Sequence, residues 1–313
     1  MARVREFKGI LKDKASLFKA NLSTNRTMSS VNVTVLRATT HSATSPPSEH
    51  RLIAVLSLGH RSSIMADACT ESIMNRLHKT HCPYVALKCL FILHNIISKG
   101  SITLKNQLPS AGGYNFLNLS EFDNKSNVEK REISLWVRWY AGILELNLMA
   151  SRVLSYFSSS SSPSVFFDRK RDLLKEMNAL VGFIEGICEV PESLHLQRND
   201  LLHELMILVG EDYRATQYQI MQRLCSDKDF ADQIGNFNSK DSSELIACLK
   251  RLENCRKRLT EIFGNRKRHD AFWELISQRK KELEKMNGNR GRLLPLVWKG
   301  RNDELIESTR FVE

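Results

Sequence analysis

Residues 37–51 read Arg-Ala-Thr-Thr-His-Ser-Ala-Thr-Ser-Pro-Pro-Ser-Glu-His-Arg, placing guanidinium and imidazole groups on both sides of a proline-broken loop. Arg37 and His41 close one apolar segment, and His50 and Arg51 open the next. Cationic donors gathered at the ends of two segments suit an oxyanion such as phosphate, which they bind through charge-assisted hydrogen bonds. Arg37, His50 and Arg51 are therefore the first candidate ligands. A second source of positive charge lies upstream. From Arg3 to Leu22, the residues Val4, Phe7, Leu11, Phe18 and Leu22 recur three, four or seven apart, while Arg5, Lys8, Lys12 and Lys19 fall largely off that stripe. Such a segment forms a basic amphipathic helix. It is either an ordinary helix docked on the domain or one that orders on a membrane. In the second case Phe7, Leu11 and Phe18 enter the acyl boundary while Lys8, Lys12 and Lys14 stay among the headgroups.

Other chemistry fails on spacing. His203-Glu204 begins a zincin-like sequence, but Ile207 stands where a second histidine is needed to complete one helix face. His78, His81 and Cys82 are too few, and lack an evident orienting partner, for a metal site. No Gly-x-x-x-x-Gly-Lys-Ser/Thr, Gly-x-Gly-x-x-Gly or Gly-x-Ser-x-Gly occurs. The expectation is a non-enzymatic protein with no metal and no cofactor. The cluster Lys250, Arg251, Arg256, Lys257, Arg258, Arg266, Lys267 and Arg268 is most simply a solvated helical face and a basic loop. RNA or a second bilayer contact are its alternatives, nucleic acid being the less favoured partner.

These groups must be positioned by helices. The 313 residues are 42% hydrophobic with only 14 Gly and 7 Pro, and long segments of helical period alternate with polar turns, so the fold class is all-α. A formal charge of +11 points to an anionic partner without separating lipid from nucleic acid. Charges break every apolar run before 18 residues, and charged residues interrupt the N-terminal segment, so neither a membrane span nor a secretory signal is expected and the protein is placed in the cytoplasm. Seven dispersed cysteines without a Cys-x-x-Cys pair read as reduced thiols used in packing.

Helices are expected over Val31–Thr40 and His50–Leu58, flanking the basic loop, then over Ser62–Lys79 and Val85–Ser98, separated near Pro83. Ser126 with Glu129 reads as a capping box opening a long helix whose Trp136, Trp139, Tyr140, Ile143 and Leu146 are core. Residues 158–164 form a polar break. Asp168–Cys188, Leu196–Leu224, Glu244–Phe263 and Asp270–Met286 follow, with Asp241 as a start signal before Glu244. Such a succession suggests an irregular right-handed helical solenoid or bundle. The expected domain is 1–286, with 158–164 as its candidate internal boundary and 287–313 as a short tail.

Several blocks then resemble the ANTH domain of clathrin-assembly adaptors, and in particular its small plant members: Val35–His41, Glu71–His78, Ala86–Leu90, Trp136–Tyr140, Leu208–Tyr213 and Leu249–Glu253. They run in family order across roughly residues 10–265. The resemblance implies a helical ANTH solenoid with an amphipathic N-terminal helix that binds phosphatidylinositol 4,5-bisphosphate, recruits clathrin and, in some members, sorts vesicle SNAREs. It implies a peripheral protein of clathrin-coated pits and vesicles, and of the Golgi. In the family's headgroup loop a basic residue is followed after nine positions by Lys-x-Lys/Arg-His/Tyr. Arg37 and His50 fit its ends, but Pro47 and Glu49 replace its lysines. About three positive units are lost, each worth about 1 kcal/mol near an anionic membrane, or roughly a hundredfold in affinity. Arg51, Lys8, Lys12 and Lys14 are expected to compensate in part. Direct clathrin binding is weakly supported, because the chain is expected to end soon after the folded domain and Leu293–Val297 lacks the acidic last residue of a clathrin box. Asp172-Leu173-Leu174, Asp200-Leu201-Leu202 and Asp270-Ala271-Phe272 resemble adaptor triplets but fall within expected helices. The alternative is a soluble helical scaffold that binds partner peptides or RNA through its basic surface.

Overall fold

The most apolar stretch of the chain becomes its most buried helix. α5 (Pro83–Lys99) opens with proline at its first turn, where a missing N–H costs no helical bond, and every residue from Pro83 to Ile96 is buried. The computed structural model describes residues 2–22, 25–42, 45–108, 116–159, 169–192, 199–225, 234, 237–264 and 267–297, of which 2–6, 155–159, 169–172, 267–269 and 289–297 are described by backbone alone. Among the described residues there is no strand, in keeping with the expected all-α class. Contacts divide the chain into two units, residues 1–151 with 189–212 and residues 152–188 with 213–313.

In the first unit, α1 (Ala2–Asn21), α2 (Arg26–Ala38), α3 (Glu49–Leu56), α4 (Ser63–Lys79), α5 and the short α6 (Ile102–Gln107) each pack on chain neighbours. The β-branched run in α2 settles as helix because its stripe Val31, Val35, Ala38 is buried at helical spacing. Asn25 caps it, accepting bonds from the N–H groups of Thr27 and Met28 at 3.1 and 3.2 Å. Ser62 caps α4 in the same way. The first part of α7 (Val128–Ser159) adds Trp136, Val137, Tyr140 and Ile143 to the core, and the first part of α9 (Asp200–Cys225) adds Leu201, Leu202 and Leu205.

The start of α7 departs from the sequence expectation. Its cap is Asn127, whose Oδ1 accepts from the Lys130 N–H at 2.8 Å. Ser126 instead bonds Asn124 at 2.6 Å, and Glu129 accepts from the Tyr84 hydroxyl. The capping box read at Ser126 and Glu129 is therefore absent: a closer Asx partner takes the serine, and a tertiary phenol takes the glutamate. Deeper in the unit, His94 is buried with Nδ1 2.7 Å from the Tyr140 hydroxyl and Nε2 2.9 Å from Asp212. Burial, and then the Asp212 charge, push the Tyr140 phenol well above its usual pKa, so it stays protonated and donates to Nδ1. His94 Nε2–H then donates to the Asp212 carboxylate, which also accepts from the Asn147 amide at 2.5 Å.

The second unit is built on α8 (Arg169–Cys188), α10 (Ser239–Phe263) and α11 (Lys267–Val297) with the remainder of α9. α10 starts five positions before Glu244, because Asn238 and Asp241 form a reciprocal capping box at 2.8 and 3.2 Å. α11 continues past Met286 to Val297, so the stretch expected as tail begins as helix. Among the resembled adaptor triplets, Leu173, Leu174, Leu201, Leu202 and Phe272 are all buried and serve the core. The box-like Leu293–Val297 has no described side chains, and 160–168 lies outside the described residues.

Candidate functional site

α1 is amphipathic in the opposite sense from a docked helix. Of the residues it turns toward the domain, Gly9, Asp13, Ser16 and Ala20 are small or polar and Leu17 is a half-buried apolar one, and no described side chain of the helix is fully buried. Its apolar stripe faces outward instead: Phe7 is 61% exposed, Leu11 51%, Phe18 68% and Leu22 67%. Gly9 allows the close approach, since a Cβ there would lie 3.0 Å from the His41 Cβ. Polar groups supply the helix's hydrogen-bonded and ionic contacts with the domain. The His41 backbone N–H donates to Asp13 at 2.9 Å, the His41 ring sits 2.6 Å from the same carboxylate, and the Ser29 hydroxyl donates to the Ala20 carbonyl at 2.9 Å. Burial pushes the Asp13 carboxyl up, but the His41 bonds and the charges of His41 and Arg76 outweigh it, and the carboxyl is held below its ordinary range.

Between α1, the end of α4 and the turn before α7 runs a groove of about 1250 Å³. Its walls carry Lys8, Lys12, Lys19, Arg76, Lys79 and Lys130, against the single carboxylate Glu129, which the Tyr84 hydroxyl engages. The lysines at 8, 12 and 19 share the helix flank next to the apolar stripe, each one residue after Phe7, Leu11 and Phe18. Arg76 reaches behind the groove, donating to the Thr39 carbonyl at 2.6 Å with the Asp13 carboxylate 3.6 Å away, while its Nε is buried without an acceptor.

A buried lysine fixes the loop after α2. Lys88 of α5 is 1% exposed and donates to the Thr40 and Ser42 carbonyls at 3.1 and 2.9 Å. Burial lowers its pKa to about 8, with the charges of Arg51 and Arg76 adding to that effect against Asp13. The unfolded chain keeps this proton up to the ordinary lysine range, so between about pH 8 and pH 10 unfolding takes up a proton and stability rises with pH. Relative to Lys88→Met, the parent should gain roughly 2 kcal/mol over that window in urea titrations. A neutral amine still has two N–H groups for the two carbonyls. A difference that stays flat with pH would mean that Lys88 is not buried as a charge.

Of the sequence-derived candidates, the structure brings Lys8 and Lys12 into one wall. Lys14 is exposed and lies off that wall. Arg37, His50 and Arg51 are exposed around the loop and are not among the groove's lining residues, and Pro47, in place of a family lysine, is buried. Arg76, Lys79 and Lys130 were not singled out as ligands from sequence, and Lys19 only as a cation beside the apolar stripe. Arg76 and Lys79 stand in the last turn of α4, where the dipole favours cations, which reads as ordinary helix chemistry until the neighbouring elements are placed. In the second unit the basic cluster is largely paired: Lys250 with Glu284 at 3.3 Å, Arg251 with Glu185 at 2.5 Å, Arg256 with Asp270 at 3.8 Å and Arg258 with Glu261 at 3.4 Å. Arg266 lies outside the described residues, and the side chains of Lys267 and Arg268 are not described.

No helix among the described residues is long and apolar enough to cross a membrane. The ANTH domain model matches residues 30–186, a span that begins after α1. Over all of this chain and 91% of the relative, the sequence is 38% identical to an Arabidopsis thaliana protein named "Putative clathrin assembly protein". Two further Arabidopsis thaliana proteins of that name are 30% identical over 89% of this chain and 86% of their own length, and 26% identical over 90% and 99%. The match over half the chain and the end-to-end likeness to these relatives place the protein in the ANTH-domain clathrin-assembly family.

Proposed function

We propose that this protein is a non-catalytic peripheral membrane adaptor of clathrin-coated vesicle formation and endocytosis, acting on the cytoplasmic face of coated pits, vesicles or Golgi membranes. The observation that carries this reading is α1, a helix whose apolar stripe is turned to solvent and whose lysine flank faces a cationic groove. Stable attachment needs two signals, and α1 supplies both. Phosphoinositide headgroup oxygens enter the groove against Lys8, Lys12, Arg76 and Lys79, while Phe7, Leu11 and Phe18 enter the acyl boundary. Lys14, Arg37, His50 and Arg51 meet the surrounding anionic surface. The names of the relatives support clathrin as the coat partner, and a vesicle SNARE is the candidate cargo by resemblance.

Vesicle flotation of the full chain tests this. Binding is expected with phosphatidylcholine vesicles containing phosphatidylinositol 4,5-bisphosphate, less with phosphatidylserine at equal charge, and little with phosphatidylcholine alone. Parallel capture on clathrin and SNARE fragments reads the two partners. Equal recovery with all three vesicles contradicts headgroup recognition, and recovery with none contradicts the membrane role.

A further inference from the structure

Asp13 lies beside the groove, against two of the groups that line it, His41 and Arg76. Its carboxylate lies 2.6 Å from the His41 ring, 2.9 Å from the His41 backbone nitrogen and 3.6 Å from Arg76, and both partners line the groove. A carboxylate with two donors and a guanidinium nearby has the surroundings of a bound phosphate. The rest of the inward face of α1, Gly9, Ser16 and Ala20 with the half-buried Leu17, is mostly small or polar, so the charged contacts of Asp13 are a principal part of the seating of the helix. Arg76 meanwhile keeps a buried Nε with no acceptor, an arrangement that costs free energy and that a multivalent phosphate could relieve once the helix moves.

Resting on the groove as a phosphate site, we propose that Asp13 is a built-in competitor for the ligand: it seats α1 on His41 and Arg76 in the absence of phosphate, and an inositol phosphate in the groove displaces it. α1 is then held by phosphate bridging its lysines to α4, in place of its own carboxylate. The helix becomes free to shift its apolar stripe toward the bilayer only where headgroups are present, which couples insertion to lipid recognition.

The test is the sign of one substitution. Soluble inositol hexakisphosphate, titrated calorimetrically into the full chain, should bind Asp13→Asn about tenfold more tightly than the parent, because a negative charge within a few ångströms of the ligand is gone while the asparagine oxygen still accepts from the His41 N–H. Glu49→Gln removes an equal charge outside the groove lining and should change affinity less than twofold. Hydrogen exchange supplies a second measurement that does not depend on the variant. In the parent at saturation, the His41 amide should exchange faster than in the free protein, since its acceptor has left. Vesicles containing phosphatidylinositol 4,5-bisphosphate, run beside the soluble probe, separate a lipid source from a free one by whether competition by inositol hexakisphosphate releases the protein. Tighter binding by Asp13→Asn with deprotection of His41 supports the proposal. Equal or weaker binding by Asp13→Asn, a matching gain in Glu49→Gln, or a His41 amide that stays protected at saturation overturns it and leaves the groove reading intact. No binding by the parent or by either variant overturns the groove reading as well.

Discussion

Replacing Lys8, Lys12 and Lys19 together by alanine is expected to weaken binding to phosphoinositide vesicles about a hundredfold, at roughly 1 kcal/mol per cation near an anionic surface. The three ammonium groups share one flank of α1 and line the groove with Arg76 and Lys79, so their removal lowers the local potential as a set. All three residues are exposed, and alanine is the best helix former, so circular dichroism should show no loss of helix. The parent's binding should fall steeply with added salt and the variant's much less, because the screened part of the interaction is what has been removed. Retained affinity in the triple variant would show that the groove wall is not where headgroups are bound.

Replacing Phe7, Leu11 and Phe18 together by serine should cost a similar hundredfold in vesicle affinity by a different route. Fully burying such side chains is worth about 1.5–3 kcal/mol each. At 61%, 51% and 68% exposure, roughly half of that remains to be gained on insertion, or about 1 kcal/mol each. This loss should be insensitive to salt. Stability of the folded chain should change by less than about 1 kcal/mol, whereas truncating the buried Trp136 of α7, 0% exposed, should cost about 3–5 kcal/mol. Urea unfolding alongside flotation checks both parts. A collapse in stability on mutating the α1 stripe would mean that it is core after all.

Helical periodicity carried most of the fold. α2, α3, α4, α5 and the helices after the polar break all lie close to where stripe spacing and proline breaks placed them. Ends were harder to read, because caps are decided by whichever polar side chain is nearest in space. Asn127 takes the α7 cap that Ser126 and Glu129 promised, and Asn238 opens α10 before its apolar stripe begins. α6 was missed because six residues are too few to show a period. The candidate site was half legible. Lys8 and Lys12 were evident from the basic stripe of α1, but Arg76, Lys79 and Lys130 come together only through tertiary packing, and no spacing rule links them. Nor did the sequence reveal which way α1 faces. A stripe of Phe7, Leu11 and Phe18 describes a docked helix and a membrane helix equally well. The opposite side, Gly9, Asp13, Ser16 and Ala20 with Leu17 at its edge, separates the two, once His41 is known to meet Asp13.

The outward stripe of α1 can be tested at a single position. Trp136, Trp139 and Trp273 are buried and Trp298 lies outside the described residues, so in a Trp298→Phe background Phe18→Trp adds an indole that lipid-borne quenchers reach selectively, once the background signal is subtracted. With brominated acyl chains in phosphatidylinositol 4,5-bisphosphate vesicles, that added fluorescence should shift to the blue and be strongly quenched, while brominated phosphatidylcholine vesicles leave it unchanged. An indole at position 18 that stays in water while the protein is vesicle-bound would contradict membrane attachment through α1.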